Sequence, residues 1–202
     1  MLQYPQALIR LIAHFKKLPG VGQKSAERFA LHLLDWKEGD LFQMSEAVST
    51  LKAGVITCEC CGAWREASGC SLCEDNTRDS SLIAVVATPK EIYTIEQTGQ
   101  FRGRYYVLGG LLSPMQGRSP DTLRIEPLKE QIIKQSVGEI ILALDATIEG
   151  DATSLFLQRE LSGMSAISRL AFGLPIGSAL EYIDEGSLSE AFIGRRPYSL
   201  AQ

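Results

Sequence analysis

Residues 58–73, CECCGAWREASGCSLC, contain all five cysteines of this 202-residue chain. Two pairs have the spacing C-x2-C, namely Cys58 with Cys61 and Cys70 with Cys73. Two intervening residues let the chain turn so that both thiolates face one ion, and two such turns supply the four sulfurs of a closed tetrahedral site. The sequence therefore predicts one structural Zn2+ per chain, bound by these four cysteines.

The composition of the chain indicates the cellular compartment in which these cysteines are found. It has 45% hydrophobic and 22% charged residues, enough for a buried core. It has no run of about eighteen apolar residues, and its N-terminal segment lacks the order of basic and apolar residues typical of a signal peptide. We therefore expect a cytoplasmic protein that does not span a membrane.

Other states of the cysteines are a disulfide pair, buried free thiols or an iron–sulfur cluster. A cytoplasmic location disfavours stable disulfides, and buried free cysteines rarely fall into two matched pairs. Four thiolates leave no open coordination position, so the metal is expected to hold a short loop-rich segment together rather than to catalyse. Cys60 lies too close to Cys58 and Cys61 to share their turn, and we interpret it as a spare thiol.

The charge of the chain is unevenly distributed. The net charge is −4, yet residues 1–37 contain six Lys or Arg residues against two acidic ones. A basic N-terminal segment on an acidic remainder indicates two different kinds of partner.

The N-terminal segment predicts two helices around a glycine-rich turn, LPGVGQKS, at residues 18–25. Pro19 is expected to end the first helix, and the Gly-x-Gly turn places backbone N–H groups where a phosphate can bind. Lys24 and Arg28, four residues apart, project from one face of the second helix. Apolar residues recur at helical spacing on both sides of the turn: Leu8, Leu11, Ile12, Phe15 and Leu18 before it, and Ala26, Phe29, Leu33 and Leu34 after it.

This pattern resembles a helix-hairpin-helix, which binds the DNA backbone without reading bases. An ordinary αα-hairpin with a glycine connector is the alternative. The basic pair favours DNA, so Lys24 and Arg28 are the predicted DNA-binding residues.

From residue 81 onward, strands alternate with helices. Strands are predicted at residues 81–87, 104–110, 139–144 and 166–173, and helices at 89–99 and 150–163. Such alternation is typical of a mainly parallel, three-layer α/β sheet. The predicted fold class is thus α+β multidomain: a helical hairpin, a small four-cysteine zinc module and an α/β domain.

An acidic loop follows the strand at residues 139–144 and contains Asp145, Glu149 and Asp151. Functional groups gather at the carboxyl ends of parallel strands. Such a loop can bind Mg2+, cap the next helix, or contact a basic partner protein. The sequence contains no recognisable Ser/His/Asp arrangement and no P-loop, and the Gly109-Gly110 pair is too weak a signal for a nucleotide site.

The order of these motifs resembles the RecR recombination-mediator family over residues 3–196. The resemblance rests on LPGVGQKSAERFALHLL, C-x2-C-x8-C-x2-C, EQTGQFRGRYYVLGGLLSP, ATIEGDAT, GLPIGSALEYIDEGSLSEAF and GRR. It implies a Toprim α/β domain and a non-enzymatic, DNA-binding protein of recombinational repair that acts at the nucleoid. It also implies ring-shaped homo-oligomers, with a tetramer expected, which act with RecO and RecF to load RecA onto gaps covered by single-strand-binding protein.

By matching positions, the resemblance assigns DNA contact to Lys24 and Arg28, zinc to the four paired cysteines, and RecO binding to the loop of Asp145, Glu149 and Asp151. The implied domains are residues 1–53 (helix-hairpin-helix), 54–78 (zinc finger), 79–175 (Toprim) and 176–202 (a C-terminal segment that completes the fold or the oligomer).

Two residues depart from the family pattern. Ala87 stands where the first Toprim strand usually ends in Glu, and Asp145 stands where the acidic loop often has Asn. A Toprim nuclease or other phosphoryl transferase, the alternative function, needs a full acidic metal cluster. A third interpretation, a zinc-stapled scaffold that binds no nucleic acid, is disfavoured by the basic hairpin.

Overall fold

The computed structural model describes residues 4–195 and 197. The chain divides into two compact units, Met1–Gly54 and Val55–Gln202. The first unit is helical, and the second contains the cysteines and a parallel sheet.

Three helices form the first unit: α1 (Gln6–Phe15), α2 (Gln23–His32) and α3 (Glu38–Gly54). The predicted hairpin is confirmed, but α1 ends at Phe15 in a turn that precedes Pro19, so proline does not terminate it. Small residues on α2 let the two helices approach closely. The hairpin core consists of Leu8, Ile12, Ala26 and Ala30, whereas Leu18, Phe29 and Leu34, which the periodicity placed on the apolar faces, are exposed.

The second unit begins with the cysteine module, residues 55–78. Strands β1 (Ile56–Thr57) and β2 (Trp64–Arg65) pair antiparallel on either side of the first cysteine turn, and the short helix α4 (Ser71–Glu74) contains Cys73. The module has little regular secondary structure, as a metal-stabilised segment is expected to have.

A four-stranded sheet follows, with β3 (Asp79–Val86), β4 (Gly103–Val107), β5 (Glu139–Leu142) and β6 (Ala166–Arg169). Its order is β4-β3-β5-β6 and every neighbouring pair is parallel, which confirms the predicted sheet. Two predicted strands were too long: β4 ends before Gly109, which has φ +94°, and β6 ends at Arg169. Besides α4, the described part of this unit contains the α-helices α5 (Pro89–Gln97), α6 (Ile125–Gln135), α7 (Ile148–Glu160) and α8 (Glu185–Ile193).

The two faces of the sheet bury different partners. On β3, Ile83 and Val85 belong to a core shared with α6 and α7. The alternate residues Ala84 and Val86 belong to a second core, which they share with α5 and with three of the cysteines. Alternation along a strand sends successive side chains to opposite faces, so the cysteine module occupies, beside α5, the layer that a helix usually fills in such folds.

Candidate metal centre, basic hairpin and acidic cleft

The four paired cysteines converge on one point. All four sulfurs lie within 4.8 Å of one another, with Cys58 Sγ 3.8 Å from Cys73 Sγ and Cys61 Sγ 3.7 Å from Cys70 Sγ. A tetrahedron with zinc–sulfur bonds of about 2.3 Å has edges of about 3.8 Å. These separations fit one central ion, are far too long for disulfide bonds, and do not suit a cluster that attaches each thiolate to a different iron.

Backbone hydrogen bonds close both C-x2-C turns. In the first, the Gly62 amide donates to the Cys58 carbonyl and the Cys58 amide donates to the Ala63 carbonyl, both at 2.8 Å. In the second, the Cys73 amide donates to the Cys70 carbonyl at 3.0 Å. Gly62 has φ +79°, a conformation that residues with a Cβ rarely adopt. The donor set is therefore held in place by the chain itself.

The thiols hold their protons unequally. The pKa of Cys61 is lowered to about 5, mainly by a hydrogen bond with the Cys73 thiol. That same bond raises the pKa of Cys73, and burial raises the pKa of Cys70. Four clustered thiolates repel one another, and a bound divalent ion replaces their protons. The chemistry of this donor set thus fits a thiophilic metal ion.

The two cysteine turns are attached to the sheet. The Val107 amide on β4 donates to the Cys61 carbonyl at 2.8 Å, and the Arg104 guanidinium donates to the Cys73 carbonyl at 2.8 Å. Cys60 is exposed, and its Sγ lies 3.9 Å from Gln131 Oε1, outside the group of four. The fifth thiol thus has a different environment from the other four.

Lys24 and Arg28 are both exposed on α2. Among the residues that the structure describes, no ion pair involves either of them, and Glu27 between them accepts a hydrogen bond from Gln23. The helix begins after Gly22, and its first backbone bond runs from the Ala26 amide to the Gly22 carbonyl. The amides of the first turn therefore lie at the positive end of the helix, beside Lys24.

Loops that follow three neighbouring strands line one open cleft of about 320 Å3, the acidic cleft. The segment after β3 contributes Ala87 and, in the first turn of α5, Glu91. The loop after β4 contributes Ser113 and Arg118, and the segment after β5 contributes Asp145 and, at the start of α7, Glu149. These are the carboxyl ends of parallel strands, where α/β sheets place their functional groups. Ala87, at the end of β3, thus adjoins two of the three predicted acidic residues.

The helix cap in the acidic loop is Thr147, whose hydroxyl accepts a hydrogen bond from the Gly150 amide at 3.1 Å. Helix α7 therefore begins at Ile148, two residues earlier than predicted, and Glu149 and Asp151 lie in its first turn. A Cβ at Gly150 would collide with the Asp145 carbonyl oxygen. Glycine is thus required at this position for the loop to fold back against the helix start.

Asp151 points away from the acidic cleft. Its carboxylate pairs with Arg169 at 3.3 Å and lines a separate cavity of about 210 Å3 beyond β5 and β6. Residues at successive positions in one helical turn face different directions, which is why three acids close in sequence divide between two surfaces. Asp145 lines both cavities.

Several residues of the acidic cleft were not predicted from the sequence. Arg118 and Ser113 belong to a loop closed by paired backbone bonds between them, and Glu91 caps α5 through Thr88. Their only sequence signal was a position after a strand end. Within residues 4–195, the four paired cysteines are the one group of three or more His, Cys, Asp or Glu side chains that lie close enough together to share a metal ion.

Family models match three consecutive parts of the chain. Residues 8–52 match "RecR, helix-hairpin-helix", residues 81–171 match "Toprim domain", and residues 173–196 match "RecR, C-terminal". The Recombination protein RecR of Chlamydia abortus is 51% identical over 201 residues, which cover 98% of this chain and all of that protein. The chain belongs to the RecR family.

Other RecR relatives are similar in sequence to this chain over nearly their full length. The Recombination protein RecR of Protochlamydia amoebophila is 48% identical over 195 residues, 96% of this chain and 98% of that protein. The one from Thermobifida fusca is 45% identical over 194 residues, 96% and 98% of the two chains. In this RecR family member, none of the helices that the structure describes has the length and apolar character needed to cross a membrane.

Proposed function

We propose that the chain is a DNA-binding mediator of recombinational repair, which acts with RecO and RecF to help load RecA onto gapped DNA coated with single-strand-binding protein. Its place of action is the nucleoid in the cytoplasm. Membership of the RecR family over the whole chain supports the role in repair. The observation that supports DNA contact is the exposed Lys24–Arg28 pair at the start of α2.

The hairpin is suited to phosphate rather than to bases. Two cations and the first-turn amides of α2 lie close together, and both kinds of group bind phosphate oxygens. Contacts of this kind position a protein on DNA without specifying its sequence. We therefore expect affinity that depends strongly on salt and little on sequence.

A DNA titration across salt concentrations tests this function. The double substitution Lys24→Ala, Arg28→Ala should weaken binding uniformly across sequences and reduce the salt slope by roughly one unit for each phosphate that is no longer neutralised. The charge-matched control is Lys134→Ala, Arg159→Ala, which removes two exposed cations from α6 and α7 of the second unit. Equal affinity of the double variant and the parent protein for DNA would mean that the hairpin has a structural role only.

The metal is proposed to be zinc. The sulfur–sulfur separations support this assignment. Four thiolates complete the coordination of zinc and leave no open position, which is typical of a closed structural site. Bound zinc would hold the cysteine module against the sheet through the turns of Cys58–Cys61 and Cys70–Cys73. No reaction step is assigned to it.

The acidic cleft is proposed as the RecO site, with Glu149 as its main contact and Asp145 beside it. Negative surfaces orient basic partners and accelerate their encounter. The enzymatic alternative, a Toprim nuclease, needs an acid at the end of β3. Ala87 has a methyl group there, which neither transfers a proton nor binds a metal ion. Phosphoryl transfer is therefore not part of the proposal.

Assembly into a ring tetramer is proposed from the exposed apolar side chains. Helix α3 of the first unit buries none of its residues, and Leu41, Met44, Val48 and Leu51 follow the 3-4-3 spacing of a helix–helix seam. In the second unit, Tyr182, Phe192 and Ile193 are exposed. Two separate self-complementary surfaces per chain suffice to close a symmetric tetramer, and several basic hairpins on one ring raise affinity for DNA.

A further inference from the structure

Two exposed aromatic rings lie side by side on the second unit. Trp64 is 46% exposed on β2 of the cysteine module, and Tyr93 is 53% exposed on α5. Their ring centroids are 6.0 Å apart with an angle of 32° between the planes. Most aromatic residues of this size bury their rings, so half-exposed faces on two neighbouring elements require an explanation.

The backbone on each side of the pair is fixed. Trp64 pairs with Thr57 across the β1–β2 ladder, beside the buried Ala63. On α5, Ile92 enters the core, and the next residue, Tyr93, therefore faces outward. Both rings thus project from anchored backbone, and holding them in place costs little conformational entropy on binding.

One exposed cation adjoins the rings. Lys90 is exposed one helical turn before Tyr93, on the same face of α5. No ion pair among the described residues occupies it, and Glu91, the acid next to it, is engaged with the Thr88 amide and hydroxyl. Arg65 follows Trp64 on β2, so its side chain leaves the opposite face of the strand, and its guanidinium donates to the Glu66 carbonyl. Lys90 is thus the cation available to a phosphate beside the rings.

We propose that Trp64 and Tyr93 form a stacking platform for bases of single-stranded DNA, with Lys90 on an adjoining phosphate. Flat aromatic faces flanked by cations are how proteins hold single strands without reading their sequence. This inference rests on the proposed DNA-binding function and adds a second contact surface, on the other unit from the basic hairpin. The hairpin contacts backbone, whereas this platform contacts bases.

Fluorescence provides a direct test because the chain has only two tryptophans. In a Trp36→Phe variant, Trp64 is the sole reporter. We expect a deoxythymidine oligomer to quench its emission, and an abasic oligomer of the same length, which keeps the phosphates, to leave it unchanged. Tyr93→Ala and Trp64→Ala should each weaken binding of the deoxythymidine oligomer about tenfold, the effect of one stacked base.

The salt slope and two controls separate stacking from other effects. Both variants should keep the parent's salt slope, because the slope counts phosphates, and Tyr4→Ala, which removes another exposed aromatic, should bind normally. Zinc content verifies the fold of Trp64→Ala, and Tyr93→Ala tests the platform from a separate element. Unchanged affinity in Tyr93→Ala and folded Trp64→Ala, or equal quenching by the abasic oligomer, overturns the platform alone. Failure of the parent to bind either oligomer overturns the platform together with the DNA-binding function.

Discussion

Neighbouring cysteines in this chain occupy two distinct environments. Cys61 and Cys70 are buried among the clustered sulfurs, whereas Cys60, one residue before Cys61, is exposed beside Gln131. The same chemical change, from thiol to hydroxyl, therefore has different consequences at adjacent positions. Serine oxygen is a poor ligand for a thiophilic ion, and removal of one ligand opens a closed site.

Cys73→Ser is expected to lower the zinc content from about one per chain to near zero and to cause aggregation, because the binding energy of a structural metal is also folding energy. Elemental analysis and light scattering measure both effects. Cys60→Ser is the matched control and should retain metal and remain monodisperse. Full zinc content in Cys73→Ser would contradict the four-cysteine site.

Glu149 and Asp151 also differ despite being two residues apart. Glu149 lines the acidic cleft, while Asp151 pairs with Arg169 on another surface. We expect Glu149→Gln to weaken RecO binding about fivefold, in line with the roughly 1 kcal/mol of an exposed charge contact. Asp151→Asn should have a smaller effect. A titration of each variant with RecO measures this, and the reverse order of the two effects would place the partner at the other cavity.

At the scale of elements, the first cysteine turn and strand β4 are packed in direct contact. An ideal Cβ at Gly62 would lie 2.8 Å from Val107 Cβ and would also meet Arg124. The Val107 amide, in turn, hydrogen-bonds the Cys61 carbonyl. The first cysteine turn and the sheet therefore constrain each other through a glycine.

Gly62→Ala is expected to lower the free energy of unfolding by about 3 kcal/mol, because backbone strain at positive φ adds to overpacking against β4. Gly109→Ala is the control, since Gly109 also has positive φ but has no atom within 4 Å of its ideal Cβ. It should lose only the strain contribution, about 1–2 kcal/mol. Chemical denaturation of both variants measures the difference, and equal losses would mean that the close packing is relieved at no cost.

For the whole molecule, we expect the exposed side chains of α3 to take part in assembly. Val48 is 66% and Leu51 60% exposed. Because neither belongs to the hairpin core, charged replacements there are expected to disturb assembly without unfolding the hairpin. Val48→Asp with Leu51→Asp should reduce the oligomer mass measured by multi-angle light scattering at micromolar concentration. Gln43→Asp changes an exposed position that is not three or four residues from any member of the row Leu41, Met44, Val48 and Leu51, and it should leave the mass unchanged. A full-size oligomer in the double variant would exclude α3 from the interface.

Local patterns in the sequence were sufficient for a large part of this protein. Spacing within a turn singled out the four cysteines that converge, apart from Cys60, because two residues separated by two others are brought together by the backbone alone. Periodicity identified the helical hairpin and the parallel sheet, since strand and helix periods differ. Helices α3, α4, α6 and α8 were missed. In the described part of the chain α3 buries none of its residues, and the buried residues of α6 lie within a largely polar segment.

Only the tertiary structure decided which distant residues share a surface. It gathered Glu91 from the start of α5, Glu149 from the start of α7 and Arg118 from the loop after β4 into one cleft, and it turned Asp151 to another surface. Strand order and helix direction set where these side chains point. It also placed the cysteine module on one face of the sheet and brought Trp64 beside Tyr93, residues that are 29 positions apart in the sequence. Such contacts depend on the packing of whole elements, which no local spacing encodes.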